Sequence, residues 1–539
     1  MSLIDLFGIA KSAIFASQTA LTVTSHNISN VNTPGFTRRE ALFAVNPVSL
    51  SGNLLGSGVT ISGIKRYYDQ FIQTQLLGQY QNYGKSSALN QTLSQIEQIF
   101  NEAKNIGLAV SLTDFFNAWQ DVATNPEGFV HRSVLLQKAD SLVLAVKRME
   151  RGIEESLESI NENIDNTVER INSIASEIAT INGKITMVEG GSQSGSAHDL
   201  RDQRDMLMNE LATLVDFSFY EDENGSVTIM VGMRNLVSGE TTNSISTRIN
   251  EEGDRDIYLD GINITENISK GQLGGFISVR DTIKTDSLNG LRRLTASLIQ
   301  EINLLHREGY GLDGTTGNDF FTSLQLSVKD FSSGADMTAT ITDLSQLTLD
   351  EYTIQFDSDS NYYVYNNQTG SLVTSGAYVS GDPIEFDGIE VIITGTITPD
   401  DEFSVSPLTD VIKNFGVAIT NQRKIAAASS DTALPGDNSN ALLIAQLSEN
   451  SISNLGNTTF FDYYKGLIST IGTMSSAASD SFTFDENLLS ELNTKRESLS
   501  GVSLDEEAAN LIRFQRLFEA GAKMIQVTDE LLQTVIELL

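Results

Sequence analysis

The 539-residue chain contains no cysteine. This absence excludes disulfide scaffolds, thiolate zinc sites, iron-sulfur clusters and cysteine nucleophiles. Histidine is also scarce, and the four that occur lie far apart in the sequence: His26, His131, His198 and His306. A multi-histidine metal site would need long-range convergence that the sequence does not indicate, so we expect neither a metal nor a cofactor.

Positive charge is low. Lys and Arg total 35 against 70 Asp and Glu, which gives a formal net charge of −35 and a pI near 4.4. Such a field repels phosphates, so nucleic acid and anionic membrane surfaces are disfavoured as partners. No run of about 18 apolar residues and no cleavable secretory signal are evident, so we expect no membrane insertion.

Proline is absent from residues 127–382, which permits long uninterrupted helices there. Within this interval apolar residues recur at alternating steps of four and three, which predicts one long helix with a coiled-coil-like seam. Strand-like residues 227–231 follow the turn sequence Asn224-Gly225 and predict a small β part near residues 215–273. The seam consists of Ile153, Leu157, Ile160, Ile164, Thr167, Ile171, Ile174, Ile178, Ile181 and Ile185.

Residues 330–407 alternate with period two and predict a compact β domain. They hold 14 acidic residues and no Lys or Arg, as expected for a solvated outer domain. The fold class is therefore mainly α with an inserted β domain. We expect three domains: a terminal coiled-coil-like domain (1–64 and 500–539), a helical-bundle body (65–329 and 408–499) and the acidic β insertion (330–407).

Catalytic motifs are not evident. The sequence lacks G-x-S-x-G, H-E-x-x-H and P-loop patterns. The G-x-G-x-x-G at residues 309–314 follows a helical segment instead of a strand, so nucleotide binding is not expected. Residues 357–361 resemble a calcium loop but lack its glycine and its final glutamate. We expect no enzyme, although a carboxylate hydrolase and an adhesive β domain with exposed tyrosines are the competing hypotheses.

Both ends of the chain carry apolar stripes at alternating steps of four and three. From the pattern alone, the two stripes either pair with each other within the chain or stay frayed until other molecules cover them. The N-terminal stripe contains Leu3, Phe7, Ala10, Ile14, Leu21 and Ile28, and its polar members are Ser17 and Thr24. The C-terminal stripe contains Leu511, Phe518, Ile525, Leu532, Ile536 and Leu539.

Residues 25–38, with the sequence SHNISNVNTPGFTR, resemble the N-terminal signature of bacterial flagellar rod, hook and hook-associated proteins. Residues 505–515 and 522–525 are similar to the C-terminal signature of the same axial protein family. Phe36 and Thr37 stand where Tyr and Ser are commoner, a mild departure. The signature residues carried over are Asn27, Asn30, Asn32, Thr33, Pro34 and Gly35.

Interior segments 114–126, 199–205, 317–321 and 436–440 resemble those of long junction members of this family. The resemblance implies a structural subunit of the junction between hook and filament, polymerised through its terminal helices. It implies four partners: copies of the chain, the hook protein, a second junction protein and an export chaperone that holds the C-terminal region. It also implies export in an unfolded state through the flagellar type III pathway, and an extracellular location.

Overall fold

The computed structural model describes residues 3–45, 58–100, 107–189, 196–331, 334–358, 360–399 and 401–537. Helices dominate, and the longest has 61 residues. The helices, in chain order, are α1 (Leu3–Ser29), α2 (Gln70–Phe100), α3 (Leu108–Thr124), α4 (Phe129–Glu189), α5 (His198–Leu214), α6 (Gly271–Thr282), α7 (Asn289–Glu308), α8 (Val411–Asn414), α9 (Ser439–Gln446), α10 (Phe460–Ser500) and α11 (Leu504–Glu537).

The strands form five antiparallel sheets within the described residues. The hairpin β1–β2 follows α1, seven short strands lie between α5 and α6, and eight lie between α7 and α8. The strands are β1 (Arg39–Val45), β2 (Val59–Arg66), β3 (Ser218–Glu221), β4 (Val227–Val231), β5 (Arg234–Ser238), β6 (Thr241–Thr242), β7 (Ile245–Ile249), β8 (Arg255–Leu259), β9 (Ile262–Asn263), β10 (Ser327–Asp330), β11 (Ala335–Ile341), β12 (Tyr352–Phe356), β13 (Asn361–Asn366), β14 (Leu372–Ala377), β15 (Pro383–Phe386), β16 (Ile389–Gly395) and β17 (Glu402–Ser406).

The expected class, mainly α with an inserted β domain, is confirmed. Strands β10 to β17 form two sheets, ordered β10-β17-β12-β13-β14 and β11-β16-β15. The first and last strands of this segment are paired, with Ser327 opposite Ser406. The chain therefore enters and leaves the β segment at adjacent points.

The chain divides into two compact units. Unit 1 comprises Met1–Asn90, Asn161–Ile277 and Ala478–Leu539, and it contains both chain ends and the strands β1 to β9. Unit 2 comprises Gln91–Ile160 and Ser278–Ala477. In the core of unit 2, the ring of Trp119 lies 5.2 Å from that of Phe320, and Phe321 packs on Phe415 at 4.9 Å.

Helix α4 carries the long seam that the sequence predicts. All ten seam positions between residues 153 and 185 are buried. The polar member Thr167 is accommodated because its hydroxyl donates a hydrogen bond of 2.7 Å to the backbone carbonyl of Asn163, one turn earlier. The seam therefore forms one continuous buried stripe on an otherwise polar helix.

Helix α1 is long and apolar enough to cross a membrane by length and composition alone, and among the described residues it is the one helix that meets this test. The expectation of no membrane insertion stays a prediction. Helices that pack against a neighbour meet the same test, and α1 does pack, since seven of its residues are buried.

Candidate functional site

Helices α1 and α11 pack against each other as an antiparallel pair in unit 1. Near the end of α1, Asn27 contacts Glu507 at the start of α11. Further along, Phe514 shares a buried cluster with Ala20 and Val23. Of the two arrangements that the terminal stripes allow, the intramolecular one is present. The buried residues are Ala10, Ala16, Ser17, Ala20, Val23, Thr24 and Asn27 on α1, and Glu507, Phe514, Gly521 and Thr528 on α11.

This pair buries mostly small side chains and leaves large apolar ones in solvent. Phe15 is 57% exposed and Leu531 is 44% exposed. Exposed apolar side chains in this number are typical of helices that bind a partner. We call the following set the outer apolar face: Ile4, Phe7, Phe15, Leu504, Ile512, Leu517, Phe518, Val527, Leu531, Val535 and Ile536.

The stripe residues predicted from sequence divide between the two faces. On α1, Ala10 is buried, Phe7 is exposed, and the other members are half-buried: Leu3, Ile14, Leu21 and Ile28. On α11, Phe518 and Ile536 are exposed, and the half-buried members are Leu511, Ile525 and Leu532. Leu539 lies outside the described residues.

The signature residues separate into a buried and an exposed group. Asn27 is buried and bonds the backbone of Arg39 twice, through Nδ2 to the carbonyl oxygen at 2.8 Å and through Oδ1 from the amide at 3.1 Å. Asn30 donates through Nδ2 to the carbonyl of His26 at 2.9 Å and so caps the end of α1. The remaining members form the turn that follows: Asn32, Thr33 and Pro34 are exposed, and Gly35 has a φ of 77°.

Models of known protein families match both the terminal helices and the interior of this chain. Residues 7–37 match the model for the flagella basal body rod protein, and residues 496–538 match the model for the C-terminal part of the flagellar basal body rod FlgEFG proteins. Residues 93–321 match the helical domain of the flagellar hook-associated protein FlgK. Residues 327–407 match the D2-like domain of flagellar hook-associated protein 1.

Relatives that match over the full length of the chain indicate the same family. The chain is 31% identical to flagellar hook-associated protein 1 of Escherichia coli (strain K12), over 99% of this chain and 100% of the relative. It is 28% identical to the protein of the same name from Bacillus subtilis (strain 168), over 98% and 96% of the two chains. This chain belongs to the flagellar hook-associated protein 1 family.

The fold of the hook-associated protein 1 family is found in this chain as well. The flagellar hook junction protein FlgK from Burkholderia pseudomallei superposes with a TM-score of 0.68 at 18% identity, covering 79% of this chain and 100% of that one. With its full-length relatives and family models, the chain is a structural component of the bacterial flagellum. The expectation of a hook-junction subunit, drawn from the resemblance, is confirmed at the level of the family.

Unit 1 also contains a charged cluster that the sequence analysis did not predict. Arg39 and Arg66, on the hairpin β1–β2, face the acidic side of α5. The shortest contacts join Arg39 Nη2 to Asp199 at 2.5 Å and Arg66 Nη2 to Asp202 at 2.5 Å and to Asp205 at 2.6 Å. The hairpin and α5 are therefore held together within unit 1 by ion pairs in which Asp202 bridges Arg39 and Arg66.

The electrostatics of this charged cluster follow from burial and pairing. The hydrogen bond from Arg39 lowers the pKa of the Asp199 carboxyl. Burial raises the pKa of Asp205, against the opposing influence of Arg66. The signal that indicates this cluster is the spacing of Asp199, Asp202 and Asp205, which places three carboxylates on one side of a helix. Their cationic partners lie more than 100 residues away in sequence, so spacing alone does not identify them.

Across the described ranges, no group of three or more His, Asp or Glu residues is arranged to hold a metal ion. The terminal helices offer hydrophobic contact through their exposed apolar side chains.

Proposed function

We propose that this chain joins the flagellar hook to the filament by polymerising through the outer apolar face of α1 and α11. The observation that supports this proposal is the large apolar area left in solvent after the two helices have paired. Full burial of a Phe or Leu side chain contributes roughly 1.5–3 kcal/mol. Several such side chains per subunit suffice to hold neighbouring subunits together.

In this proposal the partners of the chain are arranged in order along the flagellum. Copies of the chain form a layer through the outer apolar face, the hook protein lies on one side of that layer, and the second junction protein lies on the other. Membership of a family of hook-associated proteins supports this order. The acidic surface argues against nucleic acid as a further partner.

Export precedes assembly in this proposal. The chain leaves the cell unfolded through the flagellar type III pathway and folds outside, and a chaperone holds the C-terminal stripe until then. Two features support it: the lack of cysteine avoids cross-links during transit, and α11 offers an amphipathic helix of 34 residues to a chaperone groove. The location is the extracellular part of the flagellum.

We further propose that the chain has three domains and no catalytic activity. Residues 1–64 with 500–539 form the assembly domain, residues 65–329 with 408–499 form the body, and residues 330–407 form an outer domain. The match of residues 327–407 to a separate family model supports the last boundary. The chain works by binding and has no enzymatic activity, in line with a structural family.

Substitutions on the outer apolar face test the polymerisation step. Leu531→Ser combined with Val535→Ser removes two exposed side chains one turn apart. We expect the purified variant to keep its helical content, because neither residue is buried in the monomer, and to fail to assemble on isolated hooks. Binding to hooks is measured by co-sedimentation.

The matched control is Gln533→Ser combined with Glu537→Ser, which changes two exposed polar residues of the same helix turns. It should assemble as the unmodified chain does. Deletion of residues 505–539 should abolish assembly and leave unit 2 folded. If the Leu531/Val535 variant assembled normally, the outer apolar face would not be the polymerisation surface.

A further inference from the structure

We propose that the polar triad of Asn27, Arg38 and Glu507, centred on the buried carboxylate of Glu507, sets the register in which α1 packs on α11. The inference concerns the pairing of the helices within one chain, so it holds or fails separately from the proposed polymerisation.

The triad is built around the carboxylate of Glu507, whose side chain is 2% exposed. Its Oε2 accepts a hydrogen bond of 3.2 Å from Asn27 Nδ2, and its Oε1 accepts one of 2.9 Å from Arg38 Nε. Each carboxylate oxygen thus has a partner, and the charge is balanced by the guanidinium. A buried carboxylate is tolerated under such conditions.

The rest of the seam repeats at a regular interval. The buried positions of α11 recur every seven residues: Glu507, Phe514, Gly521 and Thr528. On α1 the small residues Ala10, Ser17 and Thr24 recur at the same interval. A slip of one heptad, about 10 Å along the axis, therefore brings seam positions opposite seam positions again, and Phe514 is the one large apolar side chain that it displaces.

The triad makes that slip unfavourable. In a slip toward the start of α1, Glu507 would move from Asn27 to the level of Ala20, seven residues earlier. Ala20 belongs to an apolar cluster with Val23 and Ala41, which offers no donor side chain. The carboxylate would then be buried without a partner, which is strongly destabilising. A single polar group inside an apolar seam is known to fix register in coiled coils by this means.

Distance measurements between two spin labels test the register directly. Because the chain has no native cysteine, Ser25→Cys and Lys523→Cys provide two unique sites on exposed positions of α1 and α11. The full-length chain should give one narrow distance distribution by pulsed electron resonance. Glu507→Leu should add a second population, displaced by a one-heptad slip of about 10 Å along the helix axes.

Two variants keep the test specific. Glu506→Leu changes the neighbouring acid, which is mainly exposed and pairs with Arg38 but not with Asn27, and it should leave the distribution unchanged. Glu507→Gln keeps an oxygen that accepts from Asn27 and should largely restore the single distance. The proposal is overturned if Glu507→Leu keeps the single original distance, if it unpairs the helices altogether, or if Glu506→Leu shifts the distances equally.

Discussion

At the scale of single residues, His306 shows how hydrogen bonds assign a protonation state. Its Nδ1 lies 2.7 Å from the carbonyl oxygen of Asn318, so it donates, and its Nε2 lies 2.9 Å from the amide of Ala426, so it accepts. The ring is therefore neutral, and burial lowers its pKa to about 4. Sequence reasoning identified His306 only as an isolated histidine, because both of its partners are distant in the chain.

The buried environment of His306 predicts that the free energy of unfolding of unit 2 depends on pH. Between about pH 6.5 and 4 the unfolded chain binds a proton at His306 that the folded chain does not. The free energy of unfolding should therefore fall as the pH is lowered through this window, by up to about 1.4 kcal/mol per pH unit from this residue. Urea unfolding at pH 7, 6 and 5, followed by fluorescence of the single tryptophan, Trp119, measures this slope.

His306→Asn should flatten the slope, since the depressed titration is removed. The variant keeps all the carboxylates of the chain, so the difference between the two slopes reports on His306. An identical pH dependence in the His306 variant and the unmodified chain would show that the ring is not held neutral.

At the scale of elements, sequence patterns predicted α4 better than the terminal pair. The α4 seam consists of large apolar residues at regular intervals, so its burial follows from periodicity. The terminal helices carry apolar residues on more than one side, and the side that is buried is lined by Ala, Ser, Gly and Thr. Pairing through small residues brings the backbones of α1 and α11 close together. It leaves large side chains such as Phe7 and Leu531 exposed to solvent. Counting large apolar residues does not reveal this choice.

A substitution at Gly521 tests whether the close approach of α1 and α11 stabilises the helix pair. A Cβ at this position would lie 2.8 Å from Cγ1 of Ile14 and 3.4 Å from the carbonyl oxygen of Ala10. Gly521→Val should therefore separate the helices and cost about 1–3 kcal/mol through overpacking. Faster amide hydrogen exchange in α1 and α11 reports this loss.

The same substitution at Gly8 provides the control. A Cβ at Gly8 has no atom within 4 Å, so Gly8→Val leaves the contact between the helices intact. Equal exchange rates in the Gly521 variant and the unmodified chain would mean that α1 and α11 are not in close contact in solution.

At the scale of the whole molecule, the net charge of −35 opposes assembly. Each subunit repels the next one, while the apolar contacts that we propose are independent of charge. The sequence predicted this charge and the family. The charged cluster of Arg39 and Arg66 was not predicted, because ion pairs between distant segments depend on the completed fold.

Assembly on hooks should accordingly become faster as NaCl rises from 10 to 150 mM, because the Debye length falls from about 30 to 8 Å. Light scattering measures the rate. Tetramethylammonium chloride at equal ionic strength should have the same effect if screening is the cause. Slower assembly at higher salt would instead indicate that attraction between opposite charges drives the contact.

The most direct test of the account is the accessibility of the outer apolar face before and after assembly. Single cysteines replace Leu531 or Phe15, and their rates of reaction with a maleimide are compared in the free chain and on hooks. Met233→Cys, a highly exposed site elsewhere, serves as reference. The account predicts that Leu531→Cys and Phe15→Cys react readily in the free chain and are protected after assembly, while Met233→Cys stays reactive. Unchanged reactivity of the two helix sites on hooks would contradict polymerisation through this face.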